Sequence, residues 1–276
     1  MWAVLAPAYN VLRIRNALGG CMSTSLAQEL APYRRASDFT ARRLAAFAGV
    51  APSTVTRIEK GQMQPTFDVA RELLTLVGSP MLSTSMESLD AIAVARQAVD
   101  GAVRQLSDGM GEWLTRWQRG GLIDSDGRLR DKSARDELLR RTARVARVAG
   151  RRSARSIPKR SWQEAIAALE SADIDYALSG SPAANLWVSS APDADAVLYV
   201  SDVDAAQELL WGLSPVKDAH SVFLLPFDGV SETDRQNIEG VWLVSLTQIV
   251  IDCLGLPGRQ PAQAEAILDN WEMVGS

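Results

Sequence analysis

One stretch of 22 residues, residues 40–61, constrains the fold of this chain more than any other: TARRLAAFAGVAPSTVTRIEKG. Thr40 is a favourable N-cap for a short helix, and Gly49 can adopt the positive φ that ends it. A second short helix follows, with Pro52 in its first turn, where a missing N–H does no harm. The apolar residues lie at helical spacing: Leu44, Ala45, Phe47, Val55 and Ile58. The stretch therefore predicts two short helices separated by a tight turn.

Two further amphipathic segments flank this pair of helices. The segment SLAQELAPYRRA begins at Ser25, and the segment TFDVARELLTLVG ends at Gly78. Several short helices with a glycine in the turn between the second and third form the helix-turn-helix arrangement. Residues 25–79 therefore predict an all-α helix-turn-helix domain. In its last helix we expect five side chains to face inward: Phe67, Ala70, Leu73, Leu74 and Val77.

Within these residues, LAAFAGVAPSTVTRIEKGQMQPTFDVARELLTLVG resembles the phage-repressor or Cro type of helix-turn-helix domain, the XRE family, over about residues 25–79. The resemblance implies that the second helix of the pair reads bases in the major groove of double-stranded DNA, and that Glu59 pairs structurally with Arg34. The positions that match base-reading residues are Pro52, Ser53 and Arg57, with Thr54 and Thr56 beside them. Arg57 is the candidate for a bidentate guanine contact. The candidates for phosphate contacts are Thr40, Arg42 and Arg43.

The chain departs from that family at two positions. Ala41 stands where glutamine is frequent, and Pro52 stands where a long polar side chain is frequent. Base contacts are therefore expected to be few and to depend on Arg57 and short hydroxyls. The alternative is that these residues are only the solvated face of a small helical domain. Because one such helix contacts few base pairs, DNA binding implies two copies on adjacent half-sites, as a homodimer or a cooperative assembly.

The net charge of −4 is distributed unevenly along the chain. Residues 1–95 carry +2, from 9 Lys/Arg against 7 Asp/Glu. Residues 96–160 carry +9, from 17 against 8, and residues 161–276 carry −15, from 3 against 18. The first two regions can approach phosphate, whereas the last one repels it.

The middle region contains a basic run over residues 138–160, LLRRTARVARVAGRRSARSIPKR, which has no acidic residue. Two interpretations compete. In the first, four arginines on one side of a helix contact DNA phosphates and add salt-dependent affinity: Arg140, Arg141, Arg144 and Arg147. In the second, the run docks on the acidic C-terminal region or is a solvated face. Earlier in the same region, Trp113 and Trp117 lie four residues apart, which favours packing in the protein interior over stacking on unpaired bases.

From Ser161 onward, segments with strand and helix character alternate, which predicts an α/β or α+β domain. The segments YALSGSPAANLW, AVLYVSD, FLLPFD and LVSLTQIVIDCLGLPGRQPAQAEAILDNW resemble the C-terminal domain of AbiEi-type antitoxins of type IV toxin–antitoxin systems, over roughly residues 161–273. The resemblance implies a regulator of its own operon, with antitoxin action in this domain and a possible toxin as partner. Such antitoxins usually begin with a winged-helix domain, and this chain does not.

An enzymatic alternative rests on a pair of aspartates. Polymerase-β-like nucleotidyltransferases carry Gly-Ser, about ten residues, and then Asp-x-Asp before a strand, where the carboxylates hold Mg²⁺. Here Gly180-Ser181 is followed by Asp193 and Asp195, and a third carboxylate would come from Asp228 or Asp252. The competing interpretation is an ordinary polar turn, and we expect the chain not to be an enzyme and to need no metal or cofactor.

The predicted organisation is therefore multidomain. We expect residues 1–24 to form a disordered N-terminal extension and residues 25–79 to form the helix-turn-helix domain. Residues 80–160 are expected to form a helical, basic connecting region, and residues 161–276 the acidic α/β domain. Two distant cysteines and the lack of a long apolar run favour a reducing cytoplasm and no membrane segment. The predicted function is sequence-specific DNA binding by a transcriptional regulator, a repressor. An antitoxin that works by protein contact through the acidic domain, and a nucleotidyltransferase that uses Asp193 and Asp195, are the alternatives.

Overall fold

The computed structural model describes residues 22–79, 85–101, 107–151, 153–188, 194–217 and 219–274. These residues form two compact units. The first unit consists of the described residues up to 79 together with residues 118–120, and the second consists of those from 85 to 117 and from 121 onward. Disorder was expected for residues 1–24, and residues 1–21 of that range lie outside the described residues. Residues 22–24 instead form the start of the first helix, which begins at Met22. No described helix is both long enough and apolar enough to cross a membrane.

The first unit is built from four helices. They are α1 (Met22–Ala36), α2 (Ala41–Ala48), α3 (Pro52–Glu59) and α4 (Phe67–Leu76). Thr40 caps α2, since its hydroxyl oxygen accepts a hydrogen bond from the N–H of Arg43 at 3.1 Å. Thr66 caps α4 in the same way through the N–H of Val69. The two caps, of which the one at Thr40 was expected from the sequence, set where the helices begin.

The core of the first unit contains most of the apolar residues that the sequence pattern placed there, together with Phe39. The buried side chains are Leu30, Phe39, Leu44, Phe47, Val55, Ile58, Leu73, Leu74 and Val77. The rings of Phe39 and Phe47 meet edge to face, with centroids 5.4 Å apart. One expectation is wrong: Phe67 is 65% exposed. It is the first residue of α4, and the buried residues of that helix begin only at Ala70, so the helical period alone misassigned it.

The second unit begins with three helices and a short 3₁₀ turn. They are α5 (Ser85–Asp100), α6 (Asp108–Arg119) and α7 (Lys132–Val145), and Val148–Gly150 form the 3₁₀ turn. Trp113 and Trp117 are each 1% exposed, with ring centroids 5.0 Å apart, which supports packing and leaves no face for a base. Four apolar residues that alternate with the arginines of the basic run are buried: Leu139, Ala143, Ala146 and Val148.

The rest of the second unit is a mixed six-stranded sheet with helices. The strands are β1 (Arg155–Ile157), β2 (Tyr176–Gly180), β3 (Ala196–Val200), β4 (Val222–Pro226), β5 (Gln236–Ile238) and β6 (Val241–Leu243). The helices are α8 (Trp162–Ser171), α9 (Ser181–Asn185), α10 (Val203–Gly212), α11 (Leu246–Gly255), α12 (Gln260–Asp269) and α13 (Trp271–Val274). The mixture of helices and strands confirms the predicted multidomain α and α+β architecture.

The strand order of the sheet is β1-β4-β3-β2-β6-β5. The pairs β1–β4, β2–β3 and β5–β6 are antiparallel, and β2–β6 and β3–β4 are parallel. Helix α10 packs on β1 and β4, whereas α11 packs on β2 and also on α7 and α5. Apart from the last two residues of α6, the described helices of the predicted connecting region, residues 80–160, thus lie in the same compact unit as the sheet, where α7 packs on α11.

Candidate nucleic-acid interface

A three-residue turn separates α2 from α3. Gly49 has φ 66° and ψ 30°, the left-handed conformation that glycine adopts without strain. The N–H of Gly49 donates to the carbonyl of Ala46 at 3.2 Å, and the N–H of Val50 donates to that of Ala45 at 3.0 Å. These bonds satisfy the last carbonyls of α2. Ala51 is extended, and α3 then begins at Pro52. The geometry is that of a helix-turn-helix, as the sequence predicted.

A bidentate ion pair fixes the end of α3 to α1. Arg34 Nε lies 2.6 Å from Glu59 Oε1, and Arg34 Nη2 lies 3.1 Å from Glu59 Oε2. The remaining guanidinium nitrogen, Nη1, donates to the carbonyl of Phe39 at 2.7 Å. Both side chains are largely buried, at 15% and 13% exposure, so water weakens the pair little. The expected Arg34–Glu59 pair is confirmed, and it holds α3 in a fixed orientation.

The solvent-facing side of α3 carries the residues expected to read bases. Pro52, Ser53 and Arg57 are exposed, while Val55 and Ile58 on the opposite side are buried. The guanidinium of Arg57 makes no hydrogen bond or ion pair with another residue of the described chain. All the donors of its fork are therefore available to an external acceptor.

Two threonines of α3 are less available than its arginine. Thr54 and Thr56 are only partly exposed. The hydroxyl of Thr56 donates to the carbonyl of Pro52 at 3.2 Å, one helical turn earlier. Its proton is therefore used within the helix and is not available to a base. Of the five positions expected to read bases, Ser53 and Arg57 thus combine exposure with a free polar group.

The beginning of α2 presents the residues expected to contact phosphate. Thr40 and Arg42 are exposed, and they lie where the first N–H groups of the helix and its dipole favour an anion. Arg43 is partly buried, with its guanidinium carbon 5.7 Å from the centroid of the Phe47 ring. The contact of Thr40, Arg42 and Arg43 with phosphate stays a prediction. In the structure Thr40 is the N-cap of α2, and Arg42 and Arg43 lie in its first turn.

The four arginines of the basic run lie in the second unit and differ in their surroundings. Arg140 forms a bidentate ion pair with Glu265, at 2.8 and 2.6 Å, and this hydrogen bonding raises the pKa of Arg140. Arg141 is 7% exposed and donates to Glu137 at 2.8 Å. Arg144 is partly buried, and Arg147 is exposed. That these four arginines contact DNA phosphates stays a prediction, but the guanidinium groups of Arg140 and Arg141 already have carboxylate partners.

Three more arginines of the run are bound to the sheet domain. Arg151 is buried and donates to Asp252 Oδ1 at 2.6 Å. Arg155 donates to the side chain of Gln207 at 3.0 Å. Arg160 is buried and donates to the carbonyl of Leu210 at 2.8 Å. These contacts favour the second interpretation for this part of the run, namely docking on the acidic C-terminal region.

Asp252 lies at the centre of a buried polar network that the sequence did not reveal. Its carboxylate is fully buried and accepts hydrogen bonds from Arg151, from Ser179 at 2.6 Å and from Gln248 at 2.9 Å. The hydroxyl of Tyr199 lies 3.1 Å from Asp252 Oδ2 and also contacts Arg151. Burial raises the pKa of Tyr199 well above its usual value, so the phenol stays protonated.

The carboxylates of the enzymatic alternative are mostly engaged in structural contacts. Asp252 is neutralised by Arg151 and has no exposed surface for a metal ion. Asp228 accepts hydrogen bonds from the N–H groups of Val230 and Ser231, at 2.8 and 2.6 Å, and from the Ser231 hydroxyl. Asp195 Oδ1 accepts from the N–H of Ser221 at 2.9 Å. Asp193 lies outside the described residues, and among the described ones no group of three or more acidic, histidine or cysteine side chains is arranged to hold a metal.

Comparison with known proteins identifies the type of domain that forms the first unit. A family model described as a helix-turn-helix domain matches residues 25–81, about a fifth of the chain. Neither a search of curated proteins nor a search of solved structures gives a significant match. The XRE resemblance within the first unit and the AbiEi resemblance of residues 161–273 therefore stay expectations. The family match and the α2–turn–α3 geometry agree on one conclusion: residues 25–81 are a helix-turn-helix domain.

Proposed function

We propose that the chain is a sequence-specific DNA-binding transcriptional regulator that represses its target promoter. The observation that carries the proposal is the exposed face of α3, where Ser53 and Arg57 present free polar groups on a helix whose orientation Arg34 and Glu59 fix. A rigid helix of this kind, in a domain matched by a helix-turn-helix family model, is suited to the major groove.

The proposal is tested by footprinting the DNA upstream of the gene and of its neighbours with the full-length protein. We expect one or more discrete protected sites whose affinity exceeds that for scrambled DNA of the same length by at least about a thousandfold. Scrambled DNA with the same base composition is the control. Uniform, weak binding to both DNAs would show that the helix-turn-helix does not read sequence.

The −15 charge of residues 161–276 is unsuited to DNA and supports a protein partner for the second unit. We therefore propose that this unit acts through protein contacts, as in an antitoxin that also regulates its own operon, and not through catalysis. A toxin gene directly beside this one would favour that role. In such an arrangement, binding of the toxin and binding of the operator would occupy different units of the chain.

A prediction concerns the two interpretations of the basic run. If the run adds phosphate contacts, they come from Arg147, whose side chain is exposed, and not from Arg140, which Glu265 holds. Arg147→Ala is then expected to reduce the slope of log K against log salt concentration by about 0.9, one phosphate contact, on every DNA sequence. Arg140→Ala removes the same charge and serves as the matched control with an unchanged slope. Equal slopes for wild type and Arg147→Ala would show that Arg147 makes no phosphate contact.

A further inference from the structure

The last residue of α6, Arg119, belongs to the helix-turn-helix unit. Helix α6 begins at Asp108 in the second unit, whereas residues 118–120 are part of the first. These three residues lie outside the range 25–81 that the helix-turn-helix family model matches. The first unit therefore includes a short segment that its own domain sequence does not supply.

Gly120 attaches this segment to the core of the first unit. Its backbone lies directly against the ring of Phe47, since a Cβ at position 120 would come 2.0 Å from Phe47 Cε1. Phe47 belongs to α2 and is fully buried. In a close-packed core such a ring cannot move aside without cost. The contact therefore fixes the neighbouring residue, Arg119, relative to α2.

The guanidinium of Arg119 lies against the turn that precedes α3. A Cβ at Gly49 would lie 2.9 Å from Arg119 Nη1, 3.1 Å from Cζ and 3.4 Å from Nε, so the planar group faces the backbone of Gly49. Gly49 and Arg119 are both exposed. The glycine that ends α2 with a positive φ thus also leaves room for the guanidinium.

This position places a positive charge beside the start of the helix proposed to read bases. Pro52, the first residue of α3, follows Gly49 by three residues, so their Cα atoms are at most about 11 Å apart. Pro52 and Ser53 are exposed at this end of α3. In helix-turn-helix proteins the N-terminal residues of this helix reach the base edges, in a groove that phosphates border on both sides.

The hydrogen-bonding groups of Arg119 are not used within the described part of the chain. Its guanidinium makes no hydrogen bond or ion pair with another described residue. The last carbonyls of α2 accept hydrogen bonds from the N–H groups of Gly49 and Val50 instead. An exposed guanidinium with free donors is suited to a phosphate group, because its fork can bind two oxygens of one anion.

We propose that Arg119 contacts a DNA phosphate beside the bases that α3 reads, and so extends the DNA-binding surface beyond the helix-turn-helix domain. This inference rests on the proposed function, because it concerns the same complex with DNA. Arg42 and Arg119 then contact the backbone at opposite ends of α2, an eight-residue helix about 12 Å long. Phosphate contacts position a protein on the duplex without reading sequence, so Arg119 raises the affinity for all sequences alike.

The first test measures binding of the full-length protein to operator and to scrambled DNA over a range of salt concentrations. Loss of one phosphate contact in Arg119→Ala should make the plot of log K against log salt concentration shallower by about 0.9 on both DNAs. The ratio of specific to nonspecific affinity should not change. Arg119→Lys keeps the charge and should keep the wild-type slope. Arg35→Ala removes an exposed arginine of the same unit and is the matched control, also with the wild-type slope.

A purely structural role for Arg119 makes a different prediction. A cation beside the C-terminal end of α2 can stabilise that helix through its dipole. In that case Arg119→Ala would lower the midpoint of urea unfolding and leave the salt dependence of DNA binding unchanged. That combination of results would overturn the proposal.

Ethylation interference on the operator locates the contact. Ethylation of the phosphate that Arg119 contacts should weaken binding of wild type but not of Arg119→Ala, and all other sensitive phosphates should be shared. Identical interference patterns for the two proteins would overturn the proposal. If wild type protects no discrete site, the proposed function fails, and the slope on scrambled DNA still decides the role of Arg119. A chain that binds neither DNA would overturn both.

Discussion

Arg57→Ala is expected to weaken specific protection of the operator strongly while leaving weak, salt-sensitive DNA binding. Arg57 is exposed on α3, and its guanidinium has no partner in the described chain. A bidentate contact from such a group to guanine contributes about 1–3 kcal/mol of discrimination, or roughly 5- to 150-fold in affinity. Few other side chains of α3 can compensate, because Pro52 has no polar group and the Thr56 proton is committed to the Pro52 carbonyl. The loss should therefore lie near the upper end of that range.

The control for this variant is Arg35→Ala. Arg35 is exposed, lies in the same unit and carries the same charge, but it belongs to α1. Measuring affinities on operator and scrambled DNA at two salt concentrations separates the two effects. Arg57→Ala should lose operator affinity selectively, whereas Arg35→Ala should keep the ratio of specific to nonspecific affinity. A similar ratio in both variants would mean that Arg57 contributes only charge.

The largest effect on stability is expected for Asp252→Asn. This change leaves the volume of the side chain nearly unchanged but removes the charge that faces Arg151, whose side chain is 3% exposed. An arginine stays protonated, so the variant retains a buried positive charge without a counter-ion. Removing one partner of a buried ion pair lowers the free energy of unfolding by about 3–5 kcal/mol. Urea unfolding of the full-length protein measures this loss from the unfolding transition of the second unit, which contains both residues.

Two further variants define the origin of that loss. Asp204→Asn removes an acid that is 92% exposed and 4.0 Å from Arg155, and it should change the free energy of unfolding by less than about 0.5 kcal/mol. The double variant Arg151→Met with Asp252→Leu removes both charges and should be more stable than Asp252→Asn. A loss below about 1 kcal/mol for Asp252→Asn would show that water reaches Arg151.

The features of the first unit that were predictable from the sequence are local ones. The cap at Thr40, the positive φ at Gly49 and the helical spacing of Val55 and Ile58 each depend on a few neighbouring residues. The Arg34–Glu59 pair joins residues 25 positions apart and came from the family resemblance. Phe67 was misassigned because periodicity does not tell where a packed layer ends.

The missed features of the second unit depend on residues far apart in the sequence. Arg151 and Asp252 are 101 positions apart, and no local pattern connects them. Strands β1 and β5 have three residues each, too few for an alternating pattern to stand out, and β1 lies within the basic run. The excess of positive charge in residues 138–160 indicated that anionic groups must lie nearby. The sequence could not show whether those groups are DNA phosphates or carboxylates of this chain.

The position of β1 has a consequence for how this chain can be divided or recombined. A fragment that starts at Ser161 would lack the strand that covers β4 and the arginine that neutralises Asp252. It would therefore expose a sheet edge and bury an uncompensated carboxylate. A module that could be exchanged between regulators would have to start before α5, so that the basic segment travels with the sheet it completes. In this chain the start of an exchangeable domain thus lies before α5, upstream of Ser161, where the composition changes from basic to acidic.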